Sequence, residues 1–253
     1  MKKIKSQDDD AVILAGGQSL LPALNMRLSS PSCLIDISKI SGLNEIKIEG
    51  QFLFIGALAT HSDVMSNNTV KDNMPCMIDI LKMVAHPAIR NKGTHGGSIA
   101  YGDPAAELPA LAVATNAEII VSGQNGDRSI NAKEFYLGLF ETSINQDEIV
   151  IGIKYPLLKQ EQKIVFDEVC RRHGDYAMAG LIANVMGSEN KIKDGIKSLK
   201  DFATCADWEL AGGYTTVDGK RVRDEGLLEH FDLSLSGIQS FITGVVMPTA
   251  CLM

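Results

Sequence analysis

Two glycine pairs, each set among small or hydroxyl-bearing neighbours, are the residues of this chain best suited to chemistry, and that chemistry is the holding of an anion. The longer stretch runs Gly93-Thr94-His95-Gly96-Gly97-Ser98-Ile99-Ala100-Tyr101-Gly102-Asp103-Pro104-Ala105-Ala106-Glu107. Paired glycines turn with positive φ and bring the backbone close to a ligand with no Cβ in the way, and small neighbours leave peptide N–H groups accessible. No Lys or Arg occurs between Gly93 and Asp127. A phosphate here would therefore be held by N–H dipoles and hydroxyls instead of a counter-ion.

The second stretch, Ala15-Gly16-Gly17-Gln18-Ser19-Leu20-Leu21-Pro22, follows the apolar run Ala11-Val12-Ile13-Leu14 and carries no charge as far as Met26. It reads as a strand feeding a loop. Two such turns in one chain suggest a diphosphate clamped from both sides. Neither has the three spaced glycines of the dinucleotide fingerprint, and neither has the lysine of a nucleotide triphosphate loop. Asp103 is expected to cap a helix starting at Pro104 and running through Leu108.

The elements that must position these turns are legible in outline. Leu34-Ile35-Asp36-Ile37 reads as a short strand and Ile46 to Gly56 as a hairpin turning at Glu49-Gly50, with Ile46, Ile48, Phe52 and Phe54 on one side. Thr60 or Ser62 would start a helix. Met77, Ile78, Ile80, Leu81 and Val84 recur at helical spacing, in a helix that should stop before His86-Pro87, because the residue preceding a proline avoids the α region. Arg90 is expected to pin the second turn by bonding carbonyls. Ala117–Val121 and Glu148–Lys154 read as strands, and Lys159–Lys163 as a solvated boundary. Val165-Phe166 begins a further strand, followed by a turn at Arg171–Asp175 and the run Tyr176–Met186.

Composition sets limits. The 253 residues are 45% hydrophobic and 22% charged, with a formal net charge of −7. That balance fits a soluble globular protein and argues against a nucleic-acid partner, which calls for excess Lys and Arg. No stretch approaches a membrane span, and Met1-Lys2-Lys3-Ile4-Lys5 lacks the apolar segment of a secretory signal, so a cytoplasmic location is expected. The five cysteines, Cys33, Cys76, Cys170, Cys205 and Cys251, are too widely spaced for an iron–sulfur or zinc site. No metal site is expected on this chain, and no nucleophile-and-base constellation marks a catalytic residue.

The ordered motifs resemble those of the FAD-binding middle subunit of molybdenum hydroxylases, the group that includes xanthine dehydrogenases and aerobic carbon-monoxide dehydrogenases. The resemblance runs from about Ala11 to Lys193. Besides the two glycine turns it takes in Ser30-Pro31 with Leu34-Ile35-Asp36, Ile55-Gly56-Ala57 with Thr60-His61, Asp147-Glu148-Ile149, and Arg171 to Ala177. It implies an α+β fold: a two-lobed FAD-binding domain of the PCMH/vanillyl-alcohol-oxidase type over residues 1–158, then a small C-terminal α/β domain over 159–253. The C-terminal domain diverges after about residue 193 and is expected to be incomplete. The first lobe is expected to be short at its N-terminus, leaving apolar surface for a partner to bury.

By the same resemblance the FAD contacts would be Leu14, Ala15, Gly16, Gly17, Gln18, Ser19, Leu20, Leu21, Thr94, His95, Gly96, Gly97, Ser98, Glu107, Val150 and Tyr176. Two of these stay open. The His95 imidazole either meets the ligand or sits on the back face of its loop. Glu107 either accepts from a sugar hydroxyl or is a solvated acid in a first helical turn. The family carries a lysine ahead of the Arg171–Asp175 turn; here Phe166-Asp167-Glu168 stands instead, leaving Tyr176 as the local candidate. Arg171 and Arg172 read as surface charges or as docking residues.

The function implied is electron transfer, from iron–sulfur clusters on a small subunit, fed by a molybdenum-cofactor large subunit, through FAD to an external acceptor. FAD would carry the redox chemistry while the protein binds and orients it. A stand-alone flavin oxidoreductase of the same fold and a flavin-free interaction subunit are the alternatives.

Overall fold

In the computed structural model the described residues are 10–160, 162–186, 213–217 and 220–224. Expectations about residues 1–9 and about most of the chain beyond Met186 lie outside them.

The apolar run and the uncharged turn after it become β1 (Ala11–Leu14) and α1 (Leu20–Asn25), and β2 (Cys33–Asp36) pairs with β1 in parallel. β3 (Ile46–Glu49) and β4 (Phe52–Gly56) form the expected hairpin, with Gly50 at φ 62°. Four short helices follow: α2 (His61–Ser66), α3 (Asn68–Asn73), α4 (Pro75–Met83) and α5 (Pro87–Arg90). Next come α6 (His95–Tyr101), α7 (Glu107–Ala114), β5 (Glu118–Gly123), β6 (Gly126–Asn131) and α8 (Ala132–Phe135). β7 (Tyr136–Gly138) and β8 (Glu141–Thr142) make a small hairpin, and β9 (Ile149–Pro156) completes a sheet ordered β3-β4-β9-β5-β6. β10 (Gln162–Val169) pairs with β11 (Ala179–Met186), and β12 (Gly213–Val217) with β13 (Lys220–Asp224).

By contact density the chain divides in two. One unit holds the described residues up to Leu158 together with Arg172–Tyr176; the other holds 159–171 and the described residues from Ala177 onward. The first unit contains a five-stranded antiparallel sheet, against which α6 packs at β4 and β9. α7 lies between α6 and α4. Leu53, Ile55, Ile119 and Ile153 from the sheet meet Ile80, Ile99, Leu108 and Leu111 from the helices with no exposed surface or almost none. Burying each such side chain contributes about 1.5–3 kcal/mol.

Three local features decide where the site forms. α2 begins with a reciprocal capping box: the Asp63 N–H donates to Thr60 Oγ1 at 3.1 Å and the Thr60 N–H to Asp63 Oδ2 at 3.0 Å. α4 stops at Met83 as expected, and the Arg90 guanidinium donates to the carbonyls of Val84 at 2.9 Å and Ala85 at 2.8 Å. Between β5 and β9 the register slips: Ile120 faces Gly152 but Val121 faces Val150, leaving Ile151 unpaired on that side. The Ile151 carbonyl instead accepts from the Ala57 N–H at 3.1 Å.

Three expectations are corrected. The buried face of β4 carries Leu53 and Ile55, while Phe52 and Phe54 face outward, Phe54 beneath the Lys47 ammonium. A continuous apolar run offers two hydrophobic faces, and the aliphatic one fits the tighter core. Asp103 does not begin a long helix: its carboxylate accepts from the Ala105 N–H at 2.9 Å in a tight turn, and α7 starts four residues later at Glu107. The stretch after Gly93 is no open loop, because Gly96 and Gly97 already lie inside α6, capped by Thr94.

Candidate functional site

The two glycine turns meet. A Cβ added to Gly16 would overlap the Lys92 carbonyl oxygen and touch the Gly93 Cα, so only a residue without a side chain lets the backbones approach this closely. Gly17 follows at φ 74°, with Leu14 and Leu21 packed behind it. A Cβ on Gly96 would run into Ala57, which seats the start of α6 against the end of β4. Beside this seam opens a cavity of about 570 Å³, within the roughly 300–1,000 Å³ typical of small-molecule sites.

The cavity wall contains most of the residues picked out by sequence. Ala15, Gly16, Gly17, Gln18, Ser19 and Leu20 line it from the first turn, and Thr94, Gly96, Gly97 and Ser98 from the second. Glu107, Val150 and Tyr176 line it as well. Glu107 is buried, which removes the solvated-acid alternative. Val150 is brought to the wall by the register slip, and Tyr176 stands at the rim, 69% exposed.

Three do not reach it. Leu14 and Leu21 buttress Gly17 from behind. His95 is turned into the core with no exposed surface; its Nε2 shares a hydrogen bond of 2.8 Å with the Tyr155 hydroxyl, and the two rings meet edge to face. Complete burial holds its pKa down at about 3, and the neighbouring His61 adds to the effect. His95 is therefore a neutral core residue behind the second turn, and the reading of its imidazole as a ligand contact is corrected. As the first residue of a short helix its side chain projects back onto the sheet, a direction that composition does not reveal.

The two turns also differ in their peptide groups. Among the described residues, the N–H groups of Gly17, Gln18 and Ser19 donate to no protein acceptor. In the second turn the His95 N–H donates to Ala59 O at 2.9 Å, that of Gly96 to Ala57 O at 2.9 Å and that of Gly97 to Thr94 Oγ1 at 3.2 Å. The first turn therefore supplies free dipoles. The second supplies the Thr94 hydroxyl, whose proton remains available while its oxygen caps α6.

Two further polar residues line the cavity that were not picked out as contacts. Glu148 is buried and paired with Arg128 through two hydrogen bonds of 2.7 and 2.8 Å, while its Oε2 also accepts from the Asn145 N–H at 2.8 Å. The Arg128 guanidinium is the main cause that pulls its pKa to about 2. His61 is 5% exposed, and its Nδ1 is buried with no hydrogen-bond partner. Both residues belong to stretches quoted above for the resemblance, and that was the only signal of them. No Lys or Arg side chain among the described residues lines the cavity. Among the described residues no group of His, Cys, Asp and Glu could hold a metal ion, and no helix is long and apolar enough to cross a membrane.

Comparison with known proteins gives this geometry a context. Over 172 residues the chain is 43% identical to the 6-hydroxypseudooxynicotine dehydrogenase complex subunit alpha of Paenarthrobacter nicotinovorans, covering 68% of this chain and 58% of that one. It is 34% identical over 227 residues to the carbon monoxide dehydrogenase medium chain of Hydrogenophaga pseudoflava, covering 90% of this chain and 79% of that one. Among solved structures, quinoline 2-oxidoreductase from Pseudomonas putida superposes with a TM-score of 0.70 at 38% identity, over 74% of this chain and 65% of that one. The chain thus spans somewhat under two thirds of the length of some of the relatives it matches. Residues 1–158 match the family described as the FAD binding domain in molybdopterin dehydrogenase. The chain, with its paired glycine turns lining a shared cavity, belongs to that family of FAD-binding domains.

Proposed function

We propose that this chain is the FAD-binding electron-transfer subunit of a molybdenum hydroxylase complex. In that complex it would take electrons from iron–sulfur clusters on a small subunit, fed by a molybdenum-cofactor large subunit, and pass them to an external acceptor. The observation that carries the reading is the abutment of Gly16 on Gly93 beside a cavity with free N–H groups on one wall. The residues fit a dinucleotide. Gly17, Gln18 and Ser19 would meet the diphosphate with peptide N–H groups and Thr94 with its hydroxyl, while Glu107 would face a sugar hydroxyl and Val150 and Tyr176 the ring system.

FAD supplies the redox chemistry when bound, and no acid–base pair is required of the protein. The chain's own work is to bind, orient and keep water out. The small glycine surfaces admit the ligand, the Arg128–Glu148 pair fixes the wall beside Val150, and the His95–Tyr155 pair holds α6 from behind. A cytoplasmic location goes with this reading.

The test is reconstitution of the purified chain with FAD followed by absorbance in the flavin region, and co-purification of its partners with iron and molybdenum analysis. Stoichiometric flavin and two metal-bearing partner chains are expected. A chain that takes up no FAD would overturn the cofactor reading and favour the flavin-free interaction subunit. Turnover of a small alcohol or amine by the single chain would favour a stand-alone oxidoreductase.

A further inference from the structure

His61 opens α2 directly after the capping box, yet its ring turns inward and lines the cavity. A Cβ on Gly93 would lie 2.9 Å from its Cδ2 and 3.0 Å from its Nε2. Gly93 in turn is the residue that Gly16 rests upon, so the ring, the second turn and the first turn are stacked in that order at the seam. Nδ1 is buried with no partner, and among the described residues nothing hydrogen-bonds to Nε2.

A neutral imidazole carries one N–H and one lone pair. A buried N–H without an acceptor is rarer in proteins than a buried acceptor without a donor. The proton therefore belongs on Nε2, leaving only a lone pair unsatisfied at Nδ1. Among the described residues no acceptor meets that N–H, which leaves it to the occupant of the cavity that the ring lines.

We propose that His61 is a ligand-positioning residue, its Nε2–H donating to a phosphoryl oxygen of the diphosphate at the seam between the two glycine turns. The inference rests on the reading of the cavity as a dinucleotide site and names the side chain that meets the linker's charge. A phosphoryl oxygen is the acceptor because the free N–H groups of Gly17, Gln18 and Ser19 flank the same seam and, among the described residues, no cationic side chain lines the cavity. Burial, aided by the Arg90 charge, keeps the His61 pKa at about 4, so the ring stays a neutral donor at physiological pH. The Arg90 guanidinium is itself occupied by backbone carbonyls.

The full chain labelled with ¹⁵N-histidine is titrated with ADP, FAD and riboflavin in turn, reading the His61 ring nitrogens by long-range ¹H–¹⁵N spectra and affinity by flavin fluorescence or calorimetry. The ligand-free spectrum should show the Nε2–H form. ADP and FAD should both shift the Nε2 proton downfield with coupling to ³¹P, and riboflavin, which lacks phosphate, should not. A hydrogen bond to a charged oxygen predicts that His61→Leu raises the Kd of ADP and FAD by about 10- to 100-fold. His61→Gln, which keeps an N–H near the position of Nε2, should stay much nearer wild type.

Uptake of FAD with an unchanged Nε2 signal, or equal losses for riboflavin and ADP in His61→Leu, would overturn the proposal and leave the cofactor reading standing. A wild-type chain that takes up none of the three ligands would overturn both. Thermal melting checks the fold of each variant, and the wild-type spectra decide the question if His61→Leu does not fold.

Discussion

The first and second glycine turns have nearly the same composition and divide the work differently. Around Gly16 and Gly17 the backbone is open, its N–H groups uncommitted and its neighbours uncharged. Around Gly96 and Gly97 every amide from His95 to Ser98 is already bonded, the chain is helical, and a buried imidazole and phenol stand behind it. One turn is the cradle and the other is the anvil against which it is pressed. A glycine pair therefore reports close approach of backbone, and only its hydrogen-bond partners show whether that approach is to a ligand or to the protein itself.

Acidification should break the comparison most severely, because only the second turn and the seam rest on titratable rings. His95 and His61 have folded pKa values of about 3 and about 4, depressed below an unfolded value of about 6.5. The stability they contribute is present above pH 6.5 and lost as pH falls toward those folded values, on the order of 5 kcal/mol for His95 and 3 kcal/mol for His61. Glu148 adds a loss lower down, between its ordinary range and about pH 2. The thermal midpoint of the ligand-free chain should fall steeply from pH 7 to pH 4.5; a flat profile would mean that His95 is not held neutral in the core.

Gly16→Ala comes next. Its Cβ would meet the Lys92 carbonyl and prise the turns apart, so the Kd for FAD should rise about 100-fold, close to 2.7 kcal/mol. The midpoint of the ligand-free chain should move by only a few degrees. Gly96→Ala should do the reverse: its Cβ meets Ala57 inside the core, destabilising by about 1–3 kcal/mol while the folded fraction keeps its affinity. If the two variants behave alike, the division between cradle and anvil is wrong. Smallest of all, Thr94→Val removes the cap on Gly97 and should lower stability by about 1 kcal/mol, read as a shift of a few degrees in calorimetry.

The parts that sequence exposed were those governed by local rules. The hairpin at Glu49-Gly50, the α2 cap at Thr60 and the stop of α4 each follow from turn, capping or proline chemistry within a few residues; Arg90 does bond carbonyls, but those of Val84 and Ala85 after α4 and not those of the second glycine turn it was expected to pin. What stayed hidden depends on partners far away in the chain. The inward rotation of His95 needs Tyr155, sixty residues on, to be visible. β6 is almost wholly polar and forms an edge strand with only Ile130 buried, so no alternation announced it. Glu107 was ambiguous for the same reason: whether a first-turn acid is wet depends on which helices pack around it, not on its own neighbours.

The slip between β5 and β9 carries one more consequence. Ile151 is the surplus residue, and it is surplus only to β5, since its carbonyl serves Ala57. Removing it would heal the ladder and look harmless on a diagram of strands. It would also reverse the facing of every β9 residue on one side of the deletion relative to the other. Val150 would trade places with its neighbour, and the strand would tug on the Arg128–Glu148 clasp just ahead of it. Length at this point therefore constrains the wall more than residue identity does: substitutions among Val, Ile and Leu keep the facing of β9, whereas a change of one residue in either direction turns Val150 away from the cavity.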